Sequence, residues 1–437
     1  MKLKKYNSKK YRRGLVGLVL AIGVCLAIIG WGMLHLGFGA RVNSAISVSG
    51  ITAREAADAG LAKALYEMNS NFPDDPVTGI DVPPETLDNS NASYSYRIET
   101  FDSDHYEIIS TGISGRETKK VHGITSMSTK DDYALLVLKQ ITLRANTFLD
   151  AYDSRLGEYG IELPDGSLNK GLPVKIGTTS IEPDMIELKA GSTVLGDVLV
   201  GYGGDVDVVI KEVAGGNPPI TGLRYPLPYP IDIVQEGPPD IFDEPDPITI
   251  DISSSEMTII APAVYTKLDP YTVQAPSIDI HSASEQGRLI VVGHVAIHVV
   301  NDMTLGSSSE IFVGDPEDPS TWGLNSSLTI YLDGALEGKN SNGINNLTKI
   351  PSNFTIYGTG PDGLDWHIKN ASDFYGIYDA PNANIYINEG VEIMGSVIGK
   401  SFDLDQLGQL HYDIALVDSS QSPTGYIIDR WWEEVVH

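Results

Sequence analysis

Cysteine and basic side chains are scarce in this sequence, and each shortage excludes a class of protein. Cys25 is the single cysteine among 437 residues, so no disulfide can form within the chain. Lysine and arginine number 30 against 58 aspartates and glutamates, which leaves a formal net charge of −28. A surface this acidic repels the phosphates of nucleic acids, so we predict no nucleic-acid partner.

The short motifs that accompany common catalytic mechanisms are also missing. The sequence has no G-x-S-x-G nucleophile elbow, no H-E-x-x-H zinc helix and no Walker loop. The glycine-rich segment 201–205 lies between strand-like runs, so it lacks the helix N-terminus that binds phosphate. We therefore predict that the chain is not an enzyme and carries no cofactor and no resident metal.

Four aspartates are the candidates for an active site if the chain acts on polysaccharide. Asp205 and Asp207 stand two apart and would share one face of a strand. Asp362 and Asp365 flank a predicted turn, where spacing does not fix their relative direction. Ordinary solvent-facing carboxylates are the favoured interpretation of all four.

Two further patterns are candidates for a metal site. His294 and His298 stand four apart in a strand-like run and would share a face, but no third zinc ligand is evident. Residues 315–319, Asp-Pro-Glu-Asp-Pro, are a candidate calcium loop that lacks the full spacing of an EF-hand. We favour the interpretation that both patterns are ordinary surface residues that bind no metal.

Residues 1–14 form a basic leader, and a long apolar run follows it. No formally charged residue occurs from Gly14 to Ala40. As a helix this run would be about 40 Å long, which exceeds the bilayer core of about 30 Å and the apolar core of a cleaved signal peptide. Because the positive residues precede it, we predict a single-pass helix in the bacterial inner membrane. The N-terminus would lie in the cytoplasm and the body in the periplasm or at the cell surface.

The helical pattern continues beyond this run. Apolar residues recur at helical spacing after Arg41, and alanine and leucine dominate Arg54–Leu65. Asn69, Ser70 and Asn71 then end the pattern. We predict one transmembrane and extended amphipathic helix over residues 15–71, whose second half packs on protein.

Two stretches of this helix resemble type IV pilins. The run Arg12-Arg13-Gly14-Leu15-Val16 is similar to a type IV pilin-like leader, and Arg54–Leu61 is similar to the characteristic helix of PilX-type minor pilins. The resemblance implies that a prepilin peptidase cuts between Gly14 and Leu15, and that the helix packs among other pilin-like subunits.

This sequence departs from major pilins at one position. Major pilins carry a glutamate at the fifth mature position, where this chain has Val19. The departure implies a minor pilin or pseudopilin, or an anchor outside any filament, rather than a filament-building subunit.

A small sheet is predicted after a polar, proline-rich linker at residues 72–91. Three strand-like runs, Ser93–Phe101, His105–Gly112 and Thr118–Met127, are joined by short turns. Such short connections favour antiparallel pairing. We predict a three-stranded meander over residues 72–130, which forms a pilin-like α+β unit with the helix.

Short apolar strands separated by glycine, asparagine or aspartate dominate the rest of the chain. Regular brief strands are typical of stacked coils that bury a common core. We predict a mainly β fold with a right-handed β-solenoid over residues 131–420, and a β-sandwich is the alternative. The proline-rich insertion at residues 215–248 is predicted to run along the protein's own surface, and a docking site for a proline-binding partner is the alternative.

The end of the β-rich region carries a second resemblance. The segments Ile356–Gly360, Ile377–Ala383, Met394–Ser401 and His411–Asp413 are similar to an uncharacterised bacterial β-solenoid domain often found behind PilX-type leaders. The resemblance implies a fold and no biochemical role.

The last residues, 421–437, are predicted to cap the solenoid. Trp431 and Trp432 would point to opposite faces of a strand, and one of them would cover the open end of the coils. Stacking on a sugar is the alternative.

Taken together, these features predict a non-enzymatic envelope protein. It would be a PilX-like minor pilin or pseudopilin of a type IV pilus or type II secretion-like assembly. Its β-solenoid would be displayed for adhesion or scaffolding, with a surface glycan or protein as ligand. The alternative is an anchored β-helix enzyme or binding module that acts on polysaccharide.

Overall fold

A computed structural model describes most of the chain. The described residues are 9–71, 76–102, 105–213, 219–227, 230–231, 233–244, 246–253, 255–281, 287–339, 343–369, 373–419 and 423–434. They form two compact units, which comprise Met1–Met127 with Tyr426–His437, and Ser128–Gly425.

The first unit begins with one long helix, α1, which runs from Lys9 to Ser70. The prediction of a transmembrane helix is wrong for the described residues. None of the helices that they form is both long enough and apolar enough to cross a membrane. A span needs about 20 apolar residues in succession, whereas the described side chains of α1 begin at Trp31 and reach the charged Arg41 within ten positions. The single-pass inner-membrane location, which depended on that helix, is corrected with it.

An antiparallel sheet covers one side of the later part of α1. Its strand order is β1-β2-β3-β4-β30, with the bounds β1 Glu85–Thr86, β2 Ser93–Thr100, β3 Tyr106–Ser114, β4 Glu117–Thr129 and β30 Pro423–Glu433. Strands β2, β3 and β4 form the meander, in which Tyr96 pairs with Ser110, and Ile109 with His122. Alternate residues, such as Tyr96, Ile98 and Ile108, are buried against the helix.

Small residues let the helix approach this sheet closely. A Cβ added to Gly112 of β3 would lie 2.0 Å from the carbonyl oxygen of Ala53 and 2.4 Å from the backbone nitrogen of Ala57. Ala53, Ala57 and Ala64 are completely buried there. The alanine-rich sequence of α1 therefore forms the flat stripe that the sheet requires.

The end of the chain returns to this first unit. Strand β30 is the edge strand beside β4, and Tyr426 is buried in the same core as Ala57 and Ile108. Within the predicted C-terminal cap, Pro423–Glu433 therefore form an edge strand of the first sheet instead of a cover for coils.

The second unit consists of short strands. Two four-residue helices, α2 Val206–Val209 and α3 Leu416–Ser419, accompany them. In chain order the strands are β5 Leu135–Val137, β6 Ile141–Leu143, β7 Phe148–Tyr152, β8 Val174–Thr178, β9 Ile186–Leu188, β10 Thr193–Val194, β11 Gly196–Val200, β12 Ile210–Glu212, β13 Arg224–Pro226, β14 Ile250–Ile252, β15 Glu256–Ile260, β16 Tyr271–Ala275, β17 Ile278–Ile280, β18 Arg288–Val292, β19 His294–Val299, β20 Met303–Leu305, β21 Glu310–Val313, β22 Ser327–Leu332, β23 Leu336–Gly338, β24 Gly343–Asn346, β25 Phe354–Gly358, β26 Leu364–Ile368, β27 Phe374–Ile387, β28 Glu392–Leu404 and β29 Gln409–Asp413.

These strands stack in parallel, coil upon coil. The pairings between them are parallel, whereas a sandwich would need antiparallel sheets. One buried residue per coil forms a continuous inner row, in the order Val273, Ile297, Ile330, Ile356, Tyr378, Val397, Leu135, Ile176 and Val198. A second buried row runs beside it, in the order Ile250, Ile278, Met303, Leu336, Trp366, Ile385, Phe402, Ile141, Ile186 and Ile210.

The order of the coils in space differs from their order in the chain. The last coil pairs with the first, since Val397 of β28 lies beside Leu135 of β5 and Leu410 of β29 lies beside Leu149 of β7. The stack therefore begins and ends at internal segments. Strands β12 and β13 lie at one end, and β14 and β15 lie at the other.

The described residues 233–244 and 246–248 lie between these two ends in the chain and are called the strap here. The strap contacts one coil after another, through hydrogen bonds from Gln235 to Gly360 and from Ile248 to Gln274 and ring stacking of Phe242 on His298. Its polar contacts are with the protein's own coils, as expected for a segment that runs along the surface.

Candidate functional site

The most distinctive surface of the first unit is a run of exposed apolar side chains on α1. Trp31 and Met33 are 76% and 70% exposed, and the run continues through Phe38, Val42, Ile46, Val48 and Ile51. From Ala53 onward the helix buries apolar residues such as Ala57, Leu61 and Met68 against the sheet. Exposure of this many large apolar side chains on one helix marks a surface for association.

The helix and the C-terminal strand are held together within this unit. The Asn69 side chain donates to the Tyr426 carbonyl oxygen at 3.0 Å and accepts from the Tyr426 amide at 2.5 Å. Glu433 forms ion pairs with Arg54 at 3.4 Å and with Lys119 at 2.7 Å. These contacts fix β30 to both the start and the end of the packed part of α1.

The two predicted capping tryptophans belong to this arrangement. The guanidinium carbon of Arg54 lies 5.0 Å from the centre of the Trp431 ring, and Trp432 stacks on His122 with 5.1 Å between ring centres. Both rings therefore help to attach β30 to its own unit.

Asp205 and Asp207 do not form a pair on a strand. Asp205 is the N-cap of α2, and its carboxylate accepts a hydrogen bond from the Asp207 backbone nitrogen at 3.0 Å. The expected shared strand face is wrong, because the aspartate instead caps a short helix.

Asp362 and Asp365 have separate partners. Asp362 forms an ion pair with Lys400 at 2.9 Å, and this contact lowers the pKa of Asp362. Asp365 accepts a hydrogen bond from the Asn384 side chain at 2.9 Å. The two carboxylates do not converge on one catalytic position.

The carboxylates of the acidic loop at residues 315–319 accept hydrogen bonds from residues next to them in the chain. The Asp315 carboxylate accepts from the Glu317 amide at 2.8 Å, and the Asp318 carboxylate accepts from the amide and the hydroxyl of Ser320. These hydrogen bonds lower the pKa of Asp318. The carboxylates thus stabilise the turn, and their oxygens are directed at backbone amides.

His294 and His298 face the same side of β19 but have different neighbours. His294 Nδ1 lies 2.9 Å from the Ser327 hydroxyl, and burial together with the nearby Lys267 lowers the pKa of His294. His298 Nε2 lies 2.9 Å from Asp333. No group of three or more metal-ligating side chains is found among the described residues.

Sequence reasoning missed two buried polar clusters in the coils. Lys130 reaches Asp379 at 2.6 Å; burial alone would lower the pKa of Lys130, but Asp379 outweighs it and raises the pKa. His411 and Asp150 are completely buried 2.5 Å apart, and Tyr159 donates to Asp150 at 3.0 Å. The sequence gives no local signal for them: His411 stands between Leu410 and Tyr412 in a regular alternation, whose polar positions normally face outward, but both faces of this strand are buried.

The backbone of Gly14 and of Leu15 belongs to α1, but the exposure of these two residues lies outside what the structure describes. Cleavage between them therefore stays a prediction.

Comparisons with known proteins give limited matches. A family model described as a domain of unknown function, DUF7305, matches residues 280–419, which run from β17 to α3. Among solved structures, the chain is similar to the competence-associated pilin ComZ from Thermus thermophilus. The identity is 13%, the match covers 89% of this chain and 98% of that chain, and the TM-score is 0.23, which is too low to establish a shared fold. No curated protein matches the sequence.

Proposed function

We propose that this chain is a non-catalytic, pilin-like subunit of a pilus-related assembly. In this role α1 packs against the helices of other pilin-like subunits, and the stack of coils is displayed for adhesion or scaffolding. The observation that carries the proposal is the run of exposed apolar side chains on α1 from Trp31 to Ile51, in a helix whose later part is buried against an antiparallel sheet.

Packing among helices would remove this apolar surface from water. Burial of a large apolar side chain contributes about 1.5–3 kcal/mol, so seven such residues supply a strong driving force for association. Alanine and glycine in the packed half, such as Ala53 and Gly60, already show that this helix tolerates close contact. The sequence resemblance to PilX-type minor pilins supports the same role.

The proposal includes processing by a prepilin peptidase between Gly14 and Leu15. Its support is the sequence Arg12-Arg13-Gly14-Leu15 before an apolar helix. N-terminal sequencing of the protein from its native host should give Leu15 first. A start at Met1 would remove this part of the proposal.

Association through α1 is tested by introducing a negative charge at two of its exposed apolar residues. We expect Phe38→Asp and Ile46→Asp to remove the chain from sheared surface filaments of the native host, because a buried carboxylate is costly. Leu324→Asp is the matched control, since Leu324 is 75% exposed but lies in the second unit. Unchanged recovery of the helix variants with filaments would contradict the proposal.

The described carboxylates give no support for the alternative, an enzyme or binding module that acts on polysaccharide. The Asp205 carboxylate caps α2 at the Asp207 amide, Asp362 pairs with Lys400 and Asp365 accepts from Asn384, whereas such an enzyme needs convergent groups. A glycan or protein ligand of the coils stays a prediction.

A further inference from the structure

A lysine and an aspartate that lie far apart in the chain meet inside the second unit. Lys130 Nζ is 2.6 Å from Asp379 Oδ2, although the two residues are 249 positions apart. Their side chains are only 10% and 2% exposed. No other lysine–carboxylate pair among the described residues has both partners so deeply buried; in the pair of Lys400 with Asp362, for example, the aspartate is 75% exposed. Two opposite charges are therefore held in contact and away from water.

The neighbours of Asp379 along the ladder are an aromatic ring and an aliphatic side chain. Asp379 stands in register between Tyr357 of β25 and Ile398 of β28, and Ile398 is completely buried. The Tyr357 ring also lies near the lysine, with 5.9 Å between Lys130 Nζ and the ring centre. An ionised pair is costly in such surroundings, because little water solvates either charge.

A second carboxylate reaches the lysine from the strap. Glu236 Oε1 lies 3.2 Å from Lys130 Nζ, and the Glu236 side chain is 41% exposed. The lysine nitrogen thus has one carboxylate inside the stack and one that is in contact with water. A proton on this nitrogen can move to either of them.

The arrangement meets the geometric requirement for forming an amide bond. A nitrogen that is hydrogen-bonded to a carboxylate oxygen lies about 3–3.5 Å from the carboxylate carbon, which is the separation of a near-attack arrangement. Groups fixed in this way react as though they were present at about 10⁵–10⁸ M. Condensation also replaces two buried charges with one neutral amide, which is far less costly to bury.

We propose that Lys130 and Asp379 condense to an amide, which ties the segment before β5 to β27 by a covalent cross-link. One proton moves from Lys130 Nζ to the Asp379 carboxylate, and the lone pair of the neutral amine then attacks the Asp379 carboxyl carbon. Glu236 takes a second proton from the nitrogen and returns it to the hydroxyl group. The bond from carbon to that hydroxyl breaks, and water leaves. The step is a loss of water and needs no oxidant or further reactant.

The ion pair described above is the state before this bond forms. The charge of Asp379 raises the pKa of Lys130 against the effect of burial. That charge is cancelled when Asp379 takes up the first proton, and burial then favours the neutral amine that attacks. All three residues belong to the second unit, so the cross-link does not depend on the packing of α1 that the proposed function requires.

Mass spectrometry of peptides from the purified full chain tests the cross-link. We expect trypsin to leave the chain uncut after Lys130 and to release one species in which residues 121–139 are joined to residues 370–400. Its mass should equal that of the two peptides less one water. Separate peptides of full mass, with normal cleavage after Lys130, would overturn the proposal.

Two lysine variants show whether the bond forms at this pair. Lys130→Arg keeps the positive charge beside Asp379 but should give no joined species, and its denatured chain should migrate differently in a gel because it lacks the closed loop. Lys400→Arg is the matched control, since Lys400 pairs with an exposed aspartate, and it should keep the joined species. A loss of one water that persists in Lys130→Arg would place the reaction elsewhere and contradict the proposal.

Glu236→Gln tests the proton transfer. The Glu236 side chain is partly exposed, so this variant should fold, which circular dichroism checks. During cell-free synthesis we expect the joined species to form about 10²-fold more slowly than in the wild type, the lower end of what a positioned acid–base group contributes. An unchanged rate would contradict the role of Glu236.

Discussion

The side chain of Asn69 satisfies both backbone groups of Tyr426, which lies 357 positions later in the chain. This pair joins the end of α1 to the start of the C-terminal edge strand. A single amide thus fixes the place where the chain returns to its first unit.

Removing this amide should loosen β30. We expect Asn69→Ala to lower the local free energy of opening of β30 by about 1–3 kcal/mol, because the two hydrogen bonds between the Asn69 side chain and the Tyr426 backbone are lost. Hydrogen exchange of β30 measures this change. Asn71→Ala is the control, since Asn71 bonds only to Glu67 at 3.0 Å in an exposed position. Equal protection of β30 in the two variants would disprove the role of Asn69.

The close approach of helix and sheet gives a second prediction. Gly112→Ala should destabilise the first unit by more than about 3 kcal/mol, because the new Cβ would overlap the backbone of Ala53 and Ala57. Gly50→Ala, where nothing lies within 4 Å, should stabilise α1 by about 0.5–1 kcal/mol. Thermal unfolding followed by circular dichroism compares them. A tolerated Gly112→Ala would show that the helix can move away from the sheet.

Two ion pairs of the coils should differ in strength. Lys130→Met leaves the Asp379 carboxylate buried, so we expect a loss of about 3–5 kcal/mol in the stability of the second unit. Arg144→Met removes the pair with Asp403, in which the arginine is about half exposed, and should cost about 0–1 kcal/mol. Denaturant unfolding measures both. Similar losses for the two variants would refute the difference in burial as the cause.

Acid should release the C-terminal strand. Hydrogen bonds from Lys119 and Lys120 lower the pKa of Glu433 and of Glu434, respectively. A carboxylate with a lowered pKa in the folded state stabilises above its unfolded pKa, and the contribution is lost as the pH falls through the folded value. Protection of β30 from hydrogen exchange, corrected for the intrinsic rate, should therefore fall between about pH 5 and about pH 3.

The control for this prediction removes the two cations. In Lys119→Ala/Lys120→Ala the extra loss of protection in acid should disappear, because the pKa values of the two glutamates return toward normal. Salt should also weaken the effect, since both pairs are partly exposed. A loss in acid that is the same in both proteins would point to other carboxylates.

The local sequence pattern was sufficient to predict the helices and strands themselves. The alanine-rich stretch after Arg54 predicts a helix with one packed side, and α1 does pack there. Brief strands between glycine and asparagine turns predict buried rows such as Ile297, Ile330 and Ile356, since alternation decides which residues face inward. The membrane assignment failed because an apolar run predicts burial without specifying what covers it.

The partners of those elements were decided only in the tertiary structure. Backbone hydrogen bonds at a strand edge carry no sequence information, so nothing local indicates that Val397 pairs with Leu135 or that β30 joins β4. The same reason separates the candidate carboxylates, because Asp205 caps a helix that its spacing did not reveal. The sequence by itself determined which apolar residues of the strands face the core, and the three-dimensional pairing of distant edges determined where the chain closes.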